Sequence, residues 1–318
     1  MGRRVIIGLD TSNYTTSLAV LDESGELVAN LKRPLAVKEG ERGLRQSDAL
    51  FAHTVNLPSL IAEAKGYLSD SEILAIGVSE KPRNAEGSYM PCFLAGVSAA
   101  EALSLGARAP LYRFSHQCGH IMAALYSSGA SHLLENEFAA FHISGGTTEL
   151  VRVKPMEYEF STELLGGTLD LNAGQVIDRI GVYMGFPFPA GARMEAAALE
   201  NTKKIPSRKI SADGMSVNIS GLENLAKKLY DETEDKALTS AFVFDFITKA
   251  VIHMSEAYEE HFGRSEFVYA GGVMSNSIIK KALSERFSAY FAEPSMSADN
   301  AVGIAALARK RYLSERDA

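Results

Sequence analysis

Two histidines four residues apart raise the first question of chemistry in this sequence. His116 and His120 lie in FSHQCGHIMAAL, residues 114–125, whose small and apolar residues predict a helix. Residues i and i+4 share one face of a helix, so both imidazoles would project together. Such a pair either holds a metal ion or consists of two rings packed as neighbours, and the spacing alone leaves both open.

The residues between the histidines limit the chemistry. Zinc peptidases of the His-Glu-x-x-His type carry their glutamate base directly after the first histidine, whereas Gln117 stands there in this sequence. An amide cannot accept the proton, so peptidase activity of that type is not expected. Cys118 is open to three interpretations: a soft metal ligand, a thiol nucleophile, or a small buried residue, as free cysteines most often are.

Two similar hairpins are among the elements that must position these side chains. Residues 4–28 predict strand, loop, strand, turn and strand, and residues 137–160 repeat the scheme around the tip Ser144-Gly145-Gly146-Thr147-Thr148. Tips of this composition present N–H and hydroxyl groups to anions, and two facing tips would hold a polyphosphate. The duplication indicates the two-lobed α/β architecture of actin, sugar kinases and heat-shock ATPases, with a cleft between the lobes. Two ordinary turns in unrelated sheets are the alternative.

Helical and strand periods alternate through the rest of the chain, as in α/β lobes. We predict a first lobe over 1–136, with the C-terminal helix 299–318 packing back on it, and a second lobe over 137–298. The predicted helices cover 44–66, 91–106, 116–127, 172–184, 191–200, 220–230, 235–262, a stretch from about 277, and 299–315, and the predicted strands outside the hairpins cover 73–80, 267–276 and 289–294.

The charge of the chain argues against a broad nucleic-acid surface. Its 318 residues include 32 Lys and Arg against 39 Asp and Glu, a formal net charge of −7. Proteins that grip many phosphates usually carry the opposite sign, so contact with nucleic acid would require a local patch or a partner. One basic cluster is present, and it is either a solvated loop or an RNA contact. It consists of Lys203, Lys204, Arg208 and Lys209.

Cysteine content and hydropathy bear on the compartment. Cys92 and Cys118 are the only cysteines and cannot form a disulfide framework. No apolar run reaches the roughly 18 residues that a membrane helix needs. The opening MGRRVIIGLD predicts a strand and is too short for a signal peptide. We therefore expect a cytoplasmic protein with no membrane contact.

Seven stretches carry motif-like residues in a fixed order. They are GLDTSNYTTSLAV, HQCGH, HISGGTTEL, GGTLDLNAGQVIDRIGVYMGFPFPAG, SVNISGLEN, YAGGVMSNSIIKKAL and SADNAVGIAALA. Together, and over almost the whole chain, they resemble the tRNA threonylcarbamoyltransferase subunit family, the TsaD proteins, formerly labelled O-sialoglycoprotein endopeptidases. Each motif is weak alone, and their shared order carries the resemblance.

The resemblance implies a metal and a nucleotide. The metal, iron or zinc, would be held by His116, His120 and Asp299, a donor set that suits either ion and leaves positions open for a ligand. Asp299 also begins the last predicted helix, so an N-cap carboxylate is the alternative. ATP or threonylcarbamoyl adenylate would bind where glycines let a phosphate approach the backbone closely and where an aspartate accepts from ribose hydroxyls. The alternative is that the glycines form plain turns and the aspartate is a surface charge. The implied nucleotide-binding residues are His142, Ile143, Ser144, Gly145, Gly146, Asp178, Gly191 and Asn276.

The implied activity is transfer of threonylcarbamoyl from its adenylate to a tRNA adenosine next to the anticodon. The family requires partner subunits for this step, so we expect tRNA to be bound through partners and a homodimer or heterodimer with a related lobe. Where the family's first loop carries Cys-Asp-Glu, this chain has Asn13, Tyr14 and Thr15, and Asp10 is the acid kept there, which makes it our predicted catalytic residue.

Further acids and a histidine of the family pattern are also missing. Thr147 replaces the histidine, Leu171 and Gln175 replace acids, and Asn172 replaces an alanine. Loss of acids from a metal and phosphate site changes both the base chemistry and the local charge, which indicates a divergent paralogue. Two other functions therefore stay open. One is a non-catalytic module that binds nucleotide and metal or dimerises, and the other is carbamoyl transfer or kinase chemistry on a small molecule.

Overall fold

The computed structural model describes residues 2–12, 14–36, 44–297 and 301–318. The chain forms two compact units. The first comprises Met1–Ser127, Pro155–Ser161 and Ala298–Ala318, and the second comprises Ser128–Lys154 and Thr162–Ser297. Residues 128–136, which the sequence placed in the first lobe, lie in the second unit, and residues 155–161 lie in the first.

The first unit is built on a five-stranded mixed sheet. Its elements are β1 (Arg4–Ser12), β2 (Thr15–Asp22), β3 (Leu27–Pro34), α1 (Gln46–Ala64), β4 (Glu72–Lys81), α2 (Phe93–Ala107), β5 (Leu111–Ser115), α3 (His116–Ser128) and, from the end of the chain, α10 (Val302–Asp317). The strand order is β3-β2-β1-β4-β5. β1 is antiparallel to β2 and parallel to β4, and β4 is parallel to β5.

Alternation along β1 separates two different faces of this sheet. Val5, Ile7 and Leu9 belong to the apolar core that contains residues of α1 and α2. The opposite face carries Gly8, where a Cβ atom would lie 2.4 Å from the carbonyl oxygen of Ala301, just before α10. A side chain larger than hydrogen is excluded there, so α10 packs directly on the strand backbone. By the same alternation Asp10 lies on the α10 face.

The second unit repeats the plan of the first. Its elements are β6 (Phe138–Ile143), β7 (Thr148–Pro155), β8 (Phe160–Gly167), α4 (Ala173–Tyr183), α5 (Gly191–Leu199), β9 (Ser211–Asp213), β10 (Ser216–Asn218), α6 (Ser220–Thr233), α7 (Lys236–Phe262), β11 (Glu266–Ala270), α8 (Ser277–Ser284), β12 (Ser288–Phe291) and α9 (Pro294–Ser297). The main sheet has the order β12-β11-β6-β7-β8. β6 is antiparallel to β7 and parallel to β11, as β1 is to β2 and β4. The repeated order matches the duplication predicted from the two hairpins.

The long helix α7 forms the centre of the second core. Phe244, Ile247 and Val251 are buried on it, together with Phe141 and Tyr269 of the sheet. By length and composition α7 would be able to cross a membrane, but 72% of its most apolar window is buried inside the protein. That degree of burial is typical of a core helix.

The strand predicted over 267–276 is wrong beyond Ala270. Gly271 has φ +99°, which ends the extended backbone, and residues 272–275 form one turn of 3-10 helix. The sequence also gave no prediction for β5, whose five residues alternate too briefly to stand out, or for the short pair β9 and β10. β5 matters for the site because α3 follows it without a loop.

Candidate functional site

The two histidines stand at the start of α3, directly after β5. Ser115 ends the strand and His116 is the first residue of the helix, so the sheet fixes the position of the His116 backbone. His116 Nδ1 lies 2.7 Å from Asp10 Oδ2 on β1, and the Asp10 side chain is 1% exposed. The other Asp10 oxygen accepts from the Ser12 N–H at 2.9 Å. Asp10 is therefore a buried carboxylate aimed at one nitrogen of His116.

This contact sets the tautomer of His116. Because the carboxylate accepts, His116 Nδ1 carries the hydrogen and Nε2 presents its lone pair. His120 Nε2 lies 2.9 Å from His116 Nε2, and binding of one ion by both nitrogens requires that neither carries a hydrogen. The ring centroids are 4.3 Å apart with the planes at 78°. The two Nε2 atoms point at one place, as two ligands of a single ion would.

The pair fits part of a metal site. Two Nε2 atoms bound to one tetrahedral zinc at about 2.0–2.1 Å would be roughly 3.3 Å apart, and the observed separation of 2.9 Å is slightly shorter. A carboxylate on Nδ1 is the outer contact that metal-binding histidines usually have. The described part of the chain contains no group of three His, Cys, Asp or Glu side chains placed for one ion. Asp299, the predicted third ligand, lies outside the described residues, so the complete site stays a prediction.

A glycine contact brings the start of α10 against the histidine helix. A Cβ atom on Gly303 would lie 1.8 Å from the carbonyl oxygen of Gly119, and one on Gly119 would lie 2.8 Å from Ile304. Gly119 immediately precedes His120 in α3. The residue pattern around His116 and His120 gave no indication of this crossing, because each glycine alone looks like a helix irregularity.

Cys118 is a buried structural residue in this arrangement. Its thiol donates to the carbonyl of Phe160 at 3.3 Å, and its own N–H donates to Ser115 Oγ. Burial raises the pKa of the Cys118 thiol above its ordinary value. Burial, with the charge of Asp10, likewise raises the pKa of Cys92 to about 11. Both thiols therefore stay protonated near neutral pH, which disfavours a thiolate nucleophile.

The predicted phosphate loop is the hairpin tip between β6 and β7. The Ser144 N–H donates to the Thr147 carbonyl at 2.8 Å, and the Gly146 N–H donates to Ser144 Oγ at 3.3 Å. Gly145 and Gly146 are exposed, and no atom would contact a Cβ on either. The tip also meets α4, because a Cβ on Gly174 would lie 2.6 Å from the Ser144 carbonyl oxygen. The tip is thus anchored at Ser144 and open at its glycines.

The end of β11 approaches the end of β6 just as closely. A Cβ on Gly271 would lie 2.2 Å from the Ile143 carbonyl oxygen. Five residues on, the buried Asn276 caps α8 by accepting from the N–H groups of Ile278 and Ile279, both at 3.1 Å. The Asn276 side chain is therefore committed to the helix through Oδ1, which leaves its amide hydrogens as donors.

Asp178 and Gly191 meet at the start of α5. Asp178 Oδ1 accepts from the Ala190 N–H at 2.8 Å, next to Gly191. Burial raises the pKa of Asp178, and the bond from Ala190 opposes the rise only in part. Glu195, one turn into α5, accepts from the N–H and hydroxyl of Ser277 at 2.7 and 2.6 Å. This last contact ties α5 to α8 and was not anticipated, since a glutamate on a polar helix face carries no distinguishing pattern.

The eight predicted nucleotide residues therefore lie at neighbouring element ends of the second unit. His142 and Ile143 end β6, and Ser144, Gly145 and Gly146 form the tip that follows it. Gly191 and Asn276 lie at the starts of α5 and α8, and Asp178 lies within α4. Ligands of open α/β sheets bind at the carboxyl ends of parallel strands. A nucleotide site formed by these residues remains a prediction.

Comparison with known proteins separates the family from the fold. The family model for tRNA N6-adenosine threonylcarbamoyltransferase, TsaD, matches residues 34–306. The chain belongs to the TsaD family. The TsaD protein of Halalkalibacterium halodurans is 27% identical over 98% of this chain and 92% of its own length. That of Methanopyrus kandleri is 24% identical over 95% of this chain and 86% of its own.

Solved structures show the fold of this TsaD family member. Component A of the (R)-2-hydroxyglutaryl-CoA dehydratase of Acidaminococcus fermentans superposes with a TM-score of 0.56 at 16% identity, over 97% of this chain and 99% of that one. A ROK family glucokinase from Streptomyces griseus superposes with a TM-score of 0.51 at 12% identity, over 96% and 99%. The chain has the duplicated α/β fold of the actin-like ATPases, as the hairpin repeat predicted.

Proposed function

We propose that this chain is a cytoplasmic threonylcarbamoyltransferase that acts on a tRNA adenosine next to the anticodon. The donor would be threonylcarbamoyl adenylate, bound at the second-unit element ends, with iron or zinc at the histidine pair. The observation that carries the proposal is the chain of contacts from Asp10 through His116 to His120, because it prepares two nitrogens for one ion. Membership of the TsaD family supplies the reaction class.

The side chains divide the work between binding and orientation. His116 and His120, with Asp299 by resemblance, would hold the metal, which when bound supplies Lewis acidity toward a carbonyl or phosphoryl oxygen. Asp10 holds the Nδ1 hydrogen of His116 and so keeps Nε2 available. Asp10 was predicted as catalytic, and we now propose the narrower role of a positioning residue, since its two oxygens contact His116 and the Ser12 N–H.

The transfer step itself forms one bond and breaks one. The exocyclic nitrogen of the adenosine attacks the carbamoyl carbon, the bond from that carbon to the phosphate oxygen breaks, and AMP leaves with the electron pair. The nitrogen loses one proton to water. The exposed glycines Gly145 and Gly146 would lie beside the phosphate, and Asp178 would accept from the ribose. These contacts hold the donor in place, which is a large part of what such a transfer requires.

The variant Asp10→Asn tests the contact between Asp10 and His116, on which the proposed function rests. Asparagine has one side-chain oxygen and cannot accept from both His116 Nδ1–H and the Ser12 N–H, so we expect the affinity for zinc or iron to fall by about tenfold to a hundredfold. Metal competition titrations on the purified chain measure this, with exposed Asp213→Asn as the matched control. Equal affinity in wild type and Asp10→Asn would contradict the positioning role. Transfer of labelled threonylcarbamoyl to tRNA, with partner subunits supplied, tests the activity.

The exposed groove between α1 and α2 is the surface we propose for a partner. It measures about 420 Å³ and is lined mostly by apolar side chains, among them Leu50, Ile61 and Leu94. Phe51 and Val55, on α1 beside it, are 72% and 58% exposed. A second chain with a related first unit, as a homodimer or heterodimer, would cover these side chains.

A second candidate function is a nucleotide- and metal-binding module without turnover. It is favoured by the uncharged replacements in the family motifs. Asn172 and Gln175 cap α4 with each other, the Asn172 N–H donating to Gln175 Oε1 at 3.4 Å, so the start of this helix carries no acid. Tight adenylate and metal binding with no transfer to tRNA would select the module. Transfer to a small-molecule amine or hydroxyl would select the third possibility, chemistry on a small acceptor.

A further inference from the structure

The basic cluster found in the sequence is an anchored surface segment. We name residues 203–210, between α5 and β9, the basic strap. Ile205 and Ile210 pack against the apolar core of the second unit, while the four cations of the strap are exposed. Its backbone forms no helix or strand. Anchoring at two isoleucines holds the strap against the surface with its cations outward, unlike a freely solvated loop.

Three of these cations have no acidic partner. Lys203 pairs with Asp235 at 2.7 Å. Lys204, Arg208 and Lys209 form no ion pair with any acid in the described ranges of the chain. Three unneutralised cations within six residues stand out in a protein with a net charge of −7. They produce a local positive potential that a polyanion would neutralise.

The acids near the basic strap are already paired with other cations. Arg208 lines a groove of about 120 Å³ against α6, and Lys209 lines one of about 640 Å³ against α7 and the end of α8. The pairs in these grooves are Glu232 with Lys228 at 3.8 Å, Asp245 with Lys249 at 2.6 Å, and Glu256 with Arg286. The grooves therefore add no surplus negative charge to offset the three strap cations.

We propose that the basic strap binds the phosphodiester backbone of RNA. The four cations are spread over the seven residues from Lys203 to Lys209, with Arg208 and Lys209 in separate grooves, so they suit a run of several phosphates better than one compact anion. Gly191, a predicted nucleotide contact, is the first residue of α5, and the strap begins four residues after that helix ends. Nine helical residues cover about 13 Å, a distance that a few nucleotides can bridge. That the RNA is tRNA rests on the proposed function, whereas the charge argument does not.

The test is tRNA binding by the full chain at increasing salt. We compare wild type, the triple variant Lys204→Glu, Arg208→Glu, Lys209→Glu, and a control triple at exposed cations elsewhere. The control is Lys65→Glu, Arg264→Glu, Lys281→Glu, which changes the net charge equally. Loss of three phosphate contacts should weaken affinity at least about tenfold and make the slope of log affinity against log salt shallower by about 2–3. The control triple variant should keep the wild-type affinity and the wild-type salt slope.

Three other outcomes would overturn the strap proposal. Equal tRNA affinity in the wild type and the strap variant would exclude the strap as an RNA-binding segment. An equal loss of tRNA affinity in the strap variant and the control variant would exclude it too. So would wild-type binding to vesicles of phosphatidylcholine and phosphatidylserine in equal parts, but not to tRNA, at about 50 mM salt. ATP affinity is measured in parallel. Wild type that binds tRNA through the strap but binds no ATP would contradict the proposed function and leave the strap in place.

Discussion

Asp10 and Asp178 are carboxylates held in different ways. Asp10 is fully buried and meets both an imidazole and a backbone N–H. Asp178 is partly buried and accepts one N–H, from Ala190. Burial raises its pKa, so at neutral pH its ionised form is held at an energetic disadvantage in the folded protein. Spare acceptor capacity on a carboxylate of this kind is what a ligand hydroxyl would use.

Asp178→Asn should separate stability from binding. The amide oxygen still accepts from Ala190, and the neutral group removes the cost of burying a charge. Because the folded pKa lies above the unfolded one, the stabilisation is present below pH 3.8 and is lost as pH rises through the folded value. At pH 7 we expect an equal or higher melting temperature and an ATP affinity that is lower by about tenfold or more. A lower melting temperature with unchanged ATP affinity would contradict this, and Asp213→Asn serves as the control.

For single residues, the sequence predicted which residue types form the candidate site better than it predicted which residues they contact. The His116 and His120 spacing predicted a shared face, and the structure puts their Nε2 atoms 2.9 Å apart. The Asp10 contact joins residues 106 positions apart, and no local pattern encodes such a pairing. The tie between Glu195 and Ser277 joins residues 82 positions apart and was missed for the same reason.

Helix α10 packs on the first unit through glycines on its neighbours. Cβ atoms on Gly8 of β1 and Gly77 of β4 would lie 2.4 and 2.8 Å from carbonyl oxygens of α10 or the residue before it. Gly303 of α10 faces Gly119 of α3 in the same way. The position of α10 thus depends on glycines at several contact points. These close contacts hold the start of α10 beside His120.

Gly303→Ala should displace this helix. The new methyl would lie 1.8 Å from the Gly119 carbonyl oxygen, so backbone must move. We expect a loss of about 1–3 kcal/mol in urea denaturation, with weaker metal binding. Gly106→Ala in α2 is the matched control, since a Cβ there meets no atom within 4 Å and alanine favours a helix by up to about 1 kcal/mol. Equal stability of both variants would contradict the close crossing.

Asp170 caps α6 from a distance. Its oxygens accept from the N–H groups of Ile219 and Ser220 at 2.8 and 3.0 Å and from the Ser220 hydroxyl at 2.6 Å. Burial opposes ionisation of Asp170, but these bonds and the Leu171 N–H outweigh it and lower the pKa. Its stabilisation is therefore present above pH 3.8 and is lost as pH falls through the folded value.

Asp170→Ala should lower stability by about 1 kcal/mol at pH 7. The difference from wild type should shrink as the pH falls below the ordinary value of an aspartate, because the wild-type carboxylate then becomes protonated. Denaturation curves across that range measure both effects. Ser220→Ala is the control, since it removes one hydroxyl and keeps the backbone donors. A stability difference that does not change with pH would show that the charge is not responsible.

Most regular elements followed from hydrophobic periodicity, and the exceptions have local causes. Helices predicted over 44–66 and 235–262 form over Gln46–Ala64 and Lys236–Phe262. The strand predicted to continue past Ala270 ends there because Gly271 adopts a positive φ. A glycine permits this conformation, but its presence in a sequence does not show that it adopts it. β5 escaped notice because Arg113 interrupts its short apolar run.

At the scale of the whole molecule, the two units share a strand order and differ in what they expose. The first unit exposes apolar side chains of α1 on the groove between α1 and α2, whereas the second exposes the basic strap. One chain thus offers an apolar surface suited to protein and a cationic one suited to RNA. The fold could be predicted from the repeated hairpins, but neither surface could be assigned before the groove and the ion pairs were known.

Val55→Glu tests the proposed partner surface. Val55 is 58% exposed beside the groove, and a carboxylate buried there by a second chain would lack a partner, weakening association by about tenfold or more. Sedimentation of the chain alone and with its partner subunits measures this. Leu105→Glu is the control, because Leu105 is 83% exposed near the end of α2, six residues beyond the last groove residue, whereas Val55 directly follows the groove residue Thr54. Unchanged association in Val55→Glu, or a wild type that forms neither complex, would contradict the assignment.

The place of α10 in the chain has a consequence for biosynthesis. The ribosome makes β1 and β4 early and α10 last, so the glycine-lined face of these strands lacks its cover until translation is nearly finished. The second unit, whose segments all precede α10, can complete its core sooner. During that interval the nascent first unit presents an open sheet to chaperones and to neighbouring chains, and a premature stop before α10 would leave it permanently in that state.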